Sequence, residues 1–345
     1  MKLTVVIPVF NCAPWLRECL DSVLRSLAVR EPFGFDCAEV ICVDDGSTDG
    51  SGEILDEYAS RLRASRPPGS PDFIVRHQVN QGVSISRNDA LDIATGDWVT
   101  FVDGDDCVSV NRFSVVMKTI AEHPGAELVR LKHIENVREG EPIPRRCDSG
   151  GECPVQAEIH RGRDARDWGC STFAISGWTV KNFVRRDVIG GLRFPERMRV
   201  KEDVVFFLKI ARDLDYAVDV DYAGYYYRRR NGSALMGFPK VEDSVRFATE
   251  MVSLEHVPAS VITGRLLFDA LEWAVRRDWT SGYDAGKCPL LAVWRRLRAE
   301  GRIDLRHVRV WWRVALWLWM KWGWLGGLRW MWTIRRSFSR EPRMF

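Results

Sequence analysis

The first part of the chain alternates short apolar runs with segments whose apolar residues recur at helical spacing. The apolar runs predict four strands, at residues 3–9, 39–43, 73–75 and 98–102. Apolar positions three or four residues apart predict the helices between them, one that begins near Asn11 and Pro14, one over 53–62 and one over 84–94. Strands covered by helices on both faces read as continuous apolar runs. The alternation therefore predicts an α/β fold with a mostly parallel sheet.

The middle of the chain carries weaker patterns. Residues 138–170 are rich in Gly, Pro, Arg and acidic residues, and we predict a long loop there. Apolar and aromatic runs predict strands over 173–184 and 214–228, and apolar spacing predicts a helix that begins near Glu202. Residues 240–300 are predicted to form a helical extension.

Polar residues follow each of the four predicted strands. These clusters are residues 8–11, 44–45, 77–82 and 103–106. Ligands of parallel sheets bind beyond the carboxyl ends of the strands. We therefore expect the four loops to converge on one crevice.

The last cluster contains three carboxylates, those of Asp103, Asp105 and Asp106. Close carboxylates repel one another unless a cation lies between them, and Mg²⁺ or Mn²⁺ takes oxygen ligands and bridges to phosphates. The alternative is an acidic turn that caps the next helix, because Asp is common in turns. The pattern by itself leaves both interpretations open.

Three further polar groups also have a chemical and a structural interpretation. Asp44 and Asp45 can accept hydrogen bonds from a base or a ribose, or can form a turn. Arg87 can neutralise a diphosphate or lie on the surface. Asp203, at the start of a predicted helix, can accept the proton of a substrate hydroxyl or can simply cap the helix.

Six motifs follow one another along the chain. They are Val-Ile-Pro-Val-Phe-Asn at 6–11, Val-Asp-Asp-Gly-Ser-Thr-Asp at 43–49, Asn-Gln-Gly to Ser-Arg-Asn at 80–88, Gly-Asp at 96–97, Phe-Val-Asp-Gly-Asp-Asp at 101–106 and Glu-Asp at 202–203. Looser matches follow at 178–186 and 225–233. This series resembles glycosyltransferase family 2, in the form that builds bacterial capsule, exopolysaccharide and other cell-surface glycans. The resemblance covers about residues 1–235.

The resemblance implies a Rossmann-like GT-A fold and an inverting transfer from a nucleotide-sugar donor, commonly a UDP-sugar, to a glycan or lipid-linked acceptor. Asp203 matches the family's general base. Asp103, Asp105 and Asp106 match the carboxylates around a divalent metal, Mn²⁺ or Mg²⁺. The positions that match donor-binding residues are Pro8, Val9, Asn11, Asp44, Asp45, Arg87, Asp103, Arg230 and Ser233.

The resemblance, together with the pattern and composition of the later residues, divides the chain into four parts. We expect a nucleotide-sugar-binding half at 1–115, an acceptor-binding and catalytic half at 116–235, a helical extension at 236–300 and a basic tail at 301–345.

The tail has an unusual composition. Residues 301–345 carry ten Lys and Arg against two acidic residues, although the net charge of the chain is only +3, and eight of the fifteen Trp lie between 311 and 332. Charge-free stretches such as Val314–Met320 are too short to span a bilayer, which takes roughly 20 apolar residues. Trp favours the membrane interface and basic residues attract anionic lipid, so we expect a helix that lies in the membrane surface. The alternative is a Trp-rich helix packed on the core or in a homodimer interface.

The remaining composition favours a cytoplasmic protein that is peripheral on the inner face of the cytoplasmic membrane. The nine Cys are irregularly spaced without paired CxxC motifs, and Met1 leads directly into a predicted strand rather than a signal peptide. Nucleic-acid binding also uses basic and aromatic residues, but the bulky apolar residues of the tail favour lipid.

Two other functions fit parts of the pattern. A nucleotidyltransferase would also use an acidic Mg²⁺ crevice, but it is expected to have a Gly-rich phosphate loop after the first strand, which residues 8–11 lack. A non-catalytic, membrane-docked scaffold that binds nucleotide-sugars or glycans is expected to have lost carboxylates, whereas Asp45, Asp105 and Asp203 are present. The sequence thus favours a metal-assisted glycosyltransferase.

Overall fold

The computed structural model describes residues 1–29, 34–65, 70–143, 155–175, 177–229, 241–266, 289–304 and 306. The chain divides into two compact units, the first formed by residues 1–169 and 177–236 and the second by residues 170–176 and 237–345. The predicted halves 1–115 and 116–235 share the sheet of the first unit. Nearly all of the predicted tail, 301–345, lies outside the described residues.

The first unit is built on a nine-stranded sheet. Its strands are β1 (Lys2–Val9), β2 (Cys37–Asp44), β3 (Asp72–His77), β4 (Trp98–Phe101), β5 (Cys107–Val108), β6 (Leu128–Arg138), β7 (Ala157–Arg161), β8 (Asn182–Arg185) and β9 (Tyr216–Arg229). Their order in the sheet is β3-β2-β1-β4-β8-β6-β9-β5, and β7 also pairs with β9.

The sheet is parallel in its first part and mixed in its second. β1 pairs in parallel with β2 and β4, and β2 pairs in parallel with β3. β6 and β9 are also parallel, but β8 is antiparallel to both β4 and β6, and β5 and β7 are antiparallel to β9. The predicted α/β fold is confirmed, and its parallel pairing holds for the first four strands.

Helices connect most of these strands. In the first unit they are α1 (Ala13–Ala28), α2 (Ser51–Ser65), α3 (Val83–Ile93), α4 (Arg112–Glu122), the first part of α5 (Arg163–Ile175), α6 (Arg186–Ile189) and α7 (Glu202–Ala211), with a 3₁₀ turn at Thr179–Lys181. The second unit contains the end of α5, α8 (Val241–Ser253), helical residues 259–266 and α9 (Pro289–Ala299). Among the described residues, no helix combines the length and the apolarity that crossing a bilayer requires.

Two predictions for the middle of the chain were wrong. Part of the predicted loop over 138–170 is strand β7, whose exposed polar residues conceal its pairing with β9. The predicted strand over 173–184 begins inside helix α5. Cys170, Phe173 and Ala174 do recur at helical spacing, but the preceding residues 163–167 are polar apart from Ala165, and they conceal the pattern.

The core explains why β1 is apolar along its whole length. Leu3, Val5 and Ile7 belong to one buried cluster with Leu16 and Leu20 of α1. Thr4 and Val6, which alternate with them and so face the other side of the sheet, are also fully buried. Both faces of β1 are therefore covered, as the sequence predicted.

Glu39 is a buried carboxylate that fastens the sheet at the end opposite the predicted crevice. Its oxygens accept hydrogen bonds from the Thr4 hydroxyl, the Thr95 backbone N–H and the Thr95 hydroxyl, each at 2.6 Å, and from the Lys2 ammonium at 2.6 Å. Burial raises the pKa of this carboxyl, but the hydrogen bonds from Lys2, Thr4 and Thr95 outweigh it and lower the pKa to about 2.

We predict that Glu39→Gln lowers the free energy of unfolding by about 2 kcal/mol at neutral pH, because buried charge-assisted hydrogen bonds are lost. The pKa of Glu39 is depressed in the folded state, so this contribution is complete above pH 4.5 and is lost as the pH falls toward 2. Denaturant unfolding of both proteins at a series of pH values measures it. Glu57→Gln removes the exposed ion pair with Arg17 and serves as the control. Equal losses in the two variants would contradict the prediction.

Candidate functional site

The loops that follow β1 to β4 contact one another at the carboxyl edge of the sheet, as predicted. The Asp45 N–H donates to the Val9 carbonyl at 2.8 Å, which joins the ends of β1 and β2. A Cβ atom on Gly104, in the loop after β4, would lie 3.3 Å from the Pro8 carbonyl oxygen and 2.9 Å from the Cys12 Sγ. Only a residue without a side chain lets this acidic loop approach β1 so closely.

Asp44 is buried and holds the loop that follows β2. One carboxylate oxygen accepts the Ser47 N–H at 3.0 Å, and the other is 2.9 Å from Nδ1 of His77, the last residue of β3. The Ser47 hydroxyl accepts the Asn11 N–H at 3.1 Å, and the Asn11 side-chain oxygen accepts the Thr48 N–H at 2.9 Å. Asn11 adopts a positive φ of 49°, a conformation that Asn tolerates better than most residues. Asp44 and Asn11 therefore shape one continuous edge.

Asp45 is equally buried and holds a different loop. Its carboxylate accepts hydrogen bonds from the Gln78 side-chain amide at 2.7 Å, the Gln81 N–H at 2.8 Å and the Gly82 N–H at 2.8 Å. These bonds fix the chain where it enters α3. Asp44 and Asp45 thus lie at the carboxyl edge where donor binding is predicted, and in the described structure their oxygens bind protein groups.

Arg87 joins two segments that are far apart in the sequence. Its side chain on α3 is only 6% exposed, and it donates to Glu202 at 2.9 Å and to Asp103 at 3.2 Å. Its guanidinium also lies over the Phe194 ring, 5.3 Å from the centroid. Burial lowers the pKa of Arg87, but the negative charges of Asp103, Glu202 and Asp203 outweigh burial and raise it. The predicted metal-binding loop and the predicted general base thus both lie near the positive charge of the Arg87 guanidinium.

Asp203 lies in the first turn of α7, half-buried. One of its carboxylate oxygens accepts the Val204 N–H at 2.8 Å, which orients the side chain at the positive end of the helix. The helix begins after Lys201, which has a positive φ of 62°. A Cβ atom on Gly177 would lie only 2.6 Å from the Val204 Cα, so the segment before Trp178 packs directly against this turn. Backbone contacts therefore fix the position of Asp203.

Asp106 ties the acidic loop to β9. Its oxygens accept the Tyr225 hydroxyl at 2.7 Å and the Arg228 N–H at 2.8 Å, and the Asp103 N–H donates to the same Tyr225 hydroxyl at 3.1 Å. The Arg228 guanidinium donates hydrogen bonds to the Asp105 carbonyl at 3.1 Å and to the Glu18 carboxylate on α1 at 2.6 Å. Burial, followed by the charges of Asp103 and Asp105, raises the pKa of Asp106 well above its ordinary value. Asp106 therefore has a structural role, which is to hold the acidic loop against β9.

Asp103 and Asp105 are the half-buried carboxylates of the acidic loop. Within the described residues, no group of three or more His, Cys, Asp or Glu side chains lies close enough together to hold a metal. Mg²⁺ and similar ions are usually held by one or two carboxylates together with substrate phosphates and water. The two carboxylates therefore fit a cation that arrives with a diphosphate.

The remaining predicted site residues divide into two groups. Pro8 is half-buried and Val9 is buried at the end of β1, next to the acidic loop. Arg230 and Ser233 lie outside the described residues.

The site contains several residues for which the sequence pattern predicts no role of their own. Glu202 was recognised only as the neighbour of Asp203, and His77 only as a member of a polar cluster. Tyr225 and Arg228 lie within the motif at 225–233, but the resemblance assigns donor binding only to Arg230 and Ser233 of that motif. No sequence signal marks Glu18, because one acidic residue on a helix is ordinary. Their tasks depend on contacts between distant segments.

The chain is similar to known glycosyltransferases in sequence. The family model described as glycosyl transferase family 2 matches residues 4–175. An uncharacterized glycosyltransferase, EpsJ of Bacillus subtilis, is 28% identical over 241 residues, which cover 69% of this chain and 63% of EpsJ. The poly(ribitol-phosphate) beta-glucosyltransferase of Bacillus spizizenii is 38% identical over 238 residues, which cover 67% of this chain and 33% of that enzyme. The chain thus spans less than two thirds of the length of both relatives.

The fold is also similar to a solved structure. The crystal structure of residues 1–349 of S. aureus TarS in complex with UDP-GlcNAc superimposes with a TM-score of 0.63 at 18% identity. The match covers 99% of this chain and 93% of the TarS chain. It shows that the two proteins share their fold.

We predict that Arg87→Met lowers the free energy of unfolding by about 3 kcal/mol, because it leaves the Glu202 carboxylate buried without its cation. Adding Glu202→Gln to this variant should recover at least about 1 kcal/mol relative to the sum of the single changes. Denaturant unfolding of the four proteins of this cycle measures the coupling.

The control for this cycle is Arg193→Met, which removes the more exposed ion pair with Asp92 and is expected to cost less than about 1 kcal/mol. Additive effects of the Arg87 and Glu202 changes would show that the bridge does not contribute as described.

Proposed function

Because the chain belongs to glycosyltransferase family 2, we propose that it transfers a sugar from a nucleoside diphosphate to a hydroxyl group of a glycan or lipid-linked acceptor, with inversion at the anomeric carbon. The glycosyltransferases to which the chain is similar support this reaction class. Of the six motifs that match the family, four lie at the carboxyl ends of β1 to β4 or in the segments that follow them. Gly96 and Asp97 instead precede β4, and Glu202 and Asp203 begin α7.

The observation that carries the proposal is the position of Arg87 between Asp103 and Glu202. A transferase of this type needs acidic groups near the diphosphate and a base near the attacking hydroxyl. The Arg87 bridge fixes the acidic loop and the first turn of α7, the segments that carry these groups, relative to each other.

Asp203 is the proposed general base. It lies in the first turn of α7, where the helix dipole and the nearby Arg87 favour a negative charge. In the proposed reaction it removes the proton of the acceptor hydroxyl as the oxygen attacks the anomeric carbon. Attack on the face opposite the diphosphate gives one displacement and inverted configuration, so no covalent nucleophile is needed.

Asp103 and Asp105 are the proposed ligands of a divalent cation, Mn²⁺ or Mg²⁺. When bound, the cation neutralises negative charge on the diphosphate as the bond to the sugar breaks. Asp103 is held by Arg87 and by the Tyr225 hydroxyl, so its position is fixed before the donor arrives. We leave Asp106 out of this site, because it is buried and its oxygens bind Tyr225 and Arg228.

The donor and acceptor classes rest on the relatives. TarS, which has the same fold, was solved with UDP-GlcNAc, and this favours a UDP-sugar as the donor. The relative from Bacillus spizizenii is named for a poly(ribitol-phosphate) acceptor, and this favours a cell-surface polymer or its lipid-linked precursor. The nucleoside would lie along the edge formed by Pro8, Val9, Asn11 and the loops that Asp44 and Asp45 hold.

We also propose that the tail, residues 301–345, binds the cytoplasmic surface of the membrane. Its support is the sequence alone, ten basic residues interleaved with eight Trp. Such binding would bring the enzyme to a lipid-linked acceptor. Association of two copies through the same Trp-rich tail is the competing interpretation.

We predict that Asp203→Asn lowers kcat for transfer at least a hundredfold and leaves the donor KM nearly unchanged, because only proton removal is lost. Asp105→Asn should instead raise the Mn²⁺ concentration needed for half-maximal rate. The measurement is nucleoside diphosphate release from a panel of UDP-, GDP- and dTDP-sugars with a cell-surface glycan and lipid extract as acceptor.

The control for both variants is Asp187→Asn, which changes an exposed carboxylate on α6. Wild-type protein that binds a donor tightly but turns over with no acceptor would instead support a non-catalytic binding protein. An Asp203→Asn variant with wild-type kcat would remove Asp203 from the mechanism.

We predict that deletion of residues 305–345 releases the protein from anionic phospholipid vesicles, because it removes the Trp side chains and most of the basic residues of the tail. Cosedimentation with vesicles of anionic or zwitterionic lipid, at low and high salt, measures the binding. A truncated protein that still pellets with anionic vesicles would show that the anchor lies elsewhere.

A further inference from the structure

His77 connects the carboxyl edge of the sheet, where the donor nucleoside is proposed to lie, to the surface of the molecule. It is the last residue of β3 and lies beside Asp44, the last residue of β2, in the parallel ladder. Nδ1 of His77 is 2.9 Å from Asp44, and Nε2 is 3.2 Å from Asp56 on α2. The ring is about half exposed, whereas the Asp44 side chain is only 7% exposed. One ring thus joins a buried and an exposed carboxylate.

The Asp44 carboxylate has little freedom to move. A Cβ atom on Gly52, in the first turn of α2, would lie 2.9 Å from the oxygen that faces His77. The other oxygen accepts the Ser47 N–H, and Ser47 in turn accepts the Asn11 N–H. A continuous chain of hydrogen bonds therefore runs from His77 through Asp44 and Ser47 to Asn11, across the ends of three strands.

We propose that His77 is a positioning residue for the nucleoside end of the donor, which holds Asp44, and through it the Ser47 loop and Asn11, in the arrangement that receives the base and ribose. This role rests on the proposed function, because it assumes that a nucleotide binds at this edge. His77 need not touch the donor. It acts through Asp44.

The protonation of His77 decides how many of its hydrogen bonds exist. Only the imidazolium has an N–H on both nitrogens and can donate to Asp44 and to Asp56 at once. Neutral imidazole keeps one donor and presents a lone pair to the other carboxylate. The hydrogen bond to Asp44, opposed by burial and aided by Asp56, raises the pKa of His77 above its ordinary 6.5. Within the part of the chain that the structure describes, Asp44 from β2 and Asp56 from α2 are the charged groups that act on the ring.

The pH dependence follows from the direction of this shift. A group whose pKa is raised by folding contributes fully below its ordinary value, and the contribution is lost as the pH rises through the raised pKa. The network is thus complete below the ordinary pKa of 6.5 and is lost as the pH rises through the raised pKa of His77. Nucleotide affinity should fall across the same interval, because binding then has to reorder the edge.

The test uses the full chain and measures the Kd of UDP, GDP, CDP and dTDP by calorimetry between pH 5.5 and 8.5. For the nucleotide that binds, His77→Ala should raise Kd about tenfold at pH 6, the effect of losing one charge-assisted hydrogen bond, with the difference narrowing at higher pH. Transfer at saturating donor should keep its kcat within about twofold. A donor KM that changes without kcat identifies positioning.

Conservative variants separate the two nitrogens. His77→Asn places an amide N–H near the position of Nδ1, so it should restore most of the affinity and remove the pH dependence. His77→Gln places its amide toward Asp56 and should resemble His77→Ala. Asp56→Asn should leave Kd at pH 5.5 unchanged and move the midpoint of the pH profile to a lower value.

The matched control is His133→Ala, which removes another His–Asp pair, 2.7 Å from Nε2 to Asp221, on β6 and β9 of the same unit. If His77→Ala does not fold, the comparison of wild type with His77→Asn and Asp56→Asn still decides the question. Equal Kd and equal pH profiles in these proteins would overturn the role of His77 and leave the proposed function intact. Failure of the wild type to bind any nucleotide would overturn the proposed function, and this role with it.

Discussion

The arrangement of the site depends on one buried guanidinium. Arg87 lies between Asp103, which follows β4, and Glu202, which begins α7, although about one hundred residues separate these carboxylates in the chain. A charge that is almost removed from water has to be paired, since an isolated buried ion is unstable. The pairing therefore constrains both segments. It brings the proposed metal-binding loop and the proposed general base to the same guanidinium, that of Arg87, before any substrate is present.

The acidic residues at the carboxyl edge divide into two classes by burial. Asp44, Asp45 and Asp106 are 5%, 3% and 1% exposed, and each binds backbone or side-chain donors of neighbouring loops. Asp103, Asp105 and Asp203 are half-buried, and the charges of Asp103 and Asp203 act on Arg87. The first class builds the edge, because a buried carboxylate is stable only when its oxygens are hydrogen-bonded. The second class remains accessible to a cation and to a hydroxyl group.

The negative charge at this edge also bears on the proposed reaction. Burial, followed by the charges of Asp103 and Asp105, raises the pKa of Asp106, and Arg87 supplies a positive charge beside Asp103. A donor diphosphate would add further negative charge to this edge. The two accessible carboxylates of the loop can tolerate it only together with a cation, which agrees with the proposed metal-assisted transfer.

The sequence by itself determined the α/β fold, the first four strands with their helices, and the family. Local periodicity and contiguous motifs encode these features, because buried strands, amphipathic helices and loop motifs are each specified by adjacent residues. It did not determine helix α5, strand β7 or the antiparallel pairing of β8, since polar segments and strand partners carry little local signal. Only the tertiary structure decided that Asp44, Asp45 and Asp106 hold loops, and that Arg87, Glu202 and His77 connect them. Those tasks arise from burial and from contacts between residues far apart in the chain, which no pattern of neighbouring residues contains.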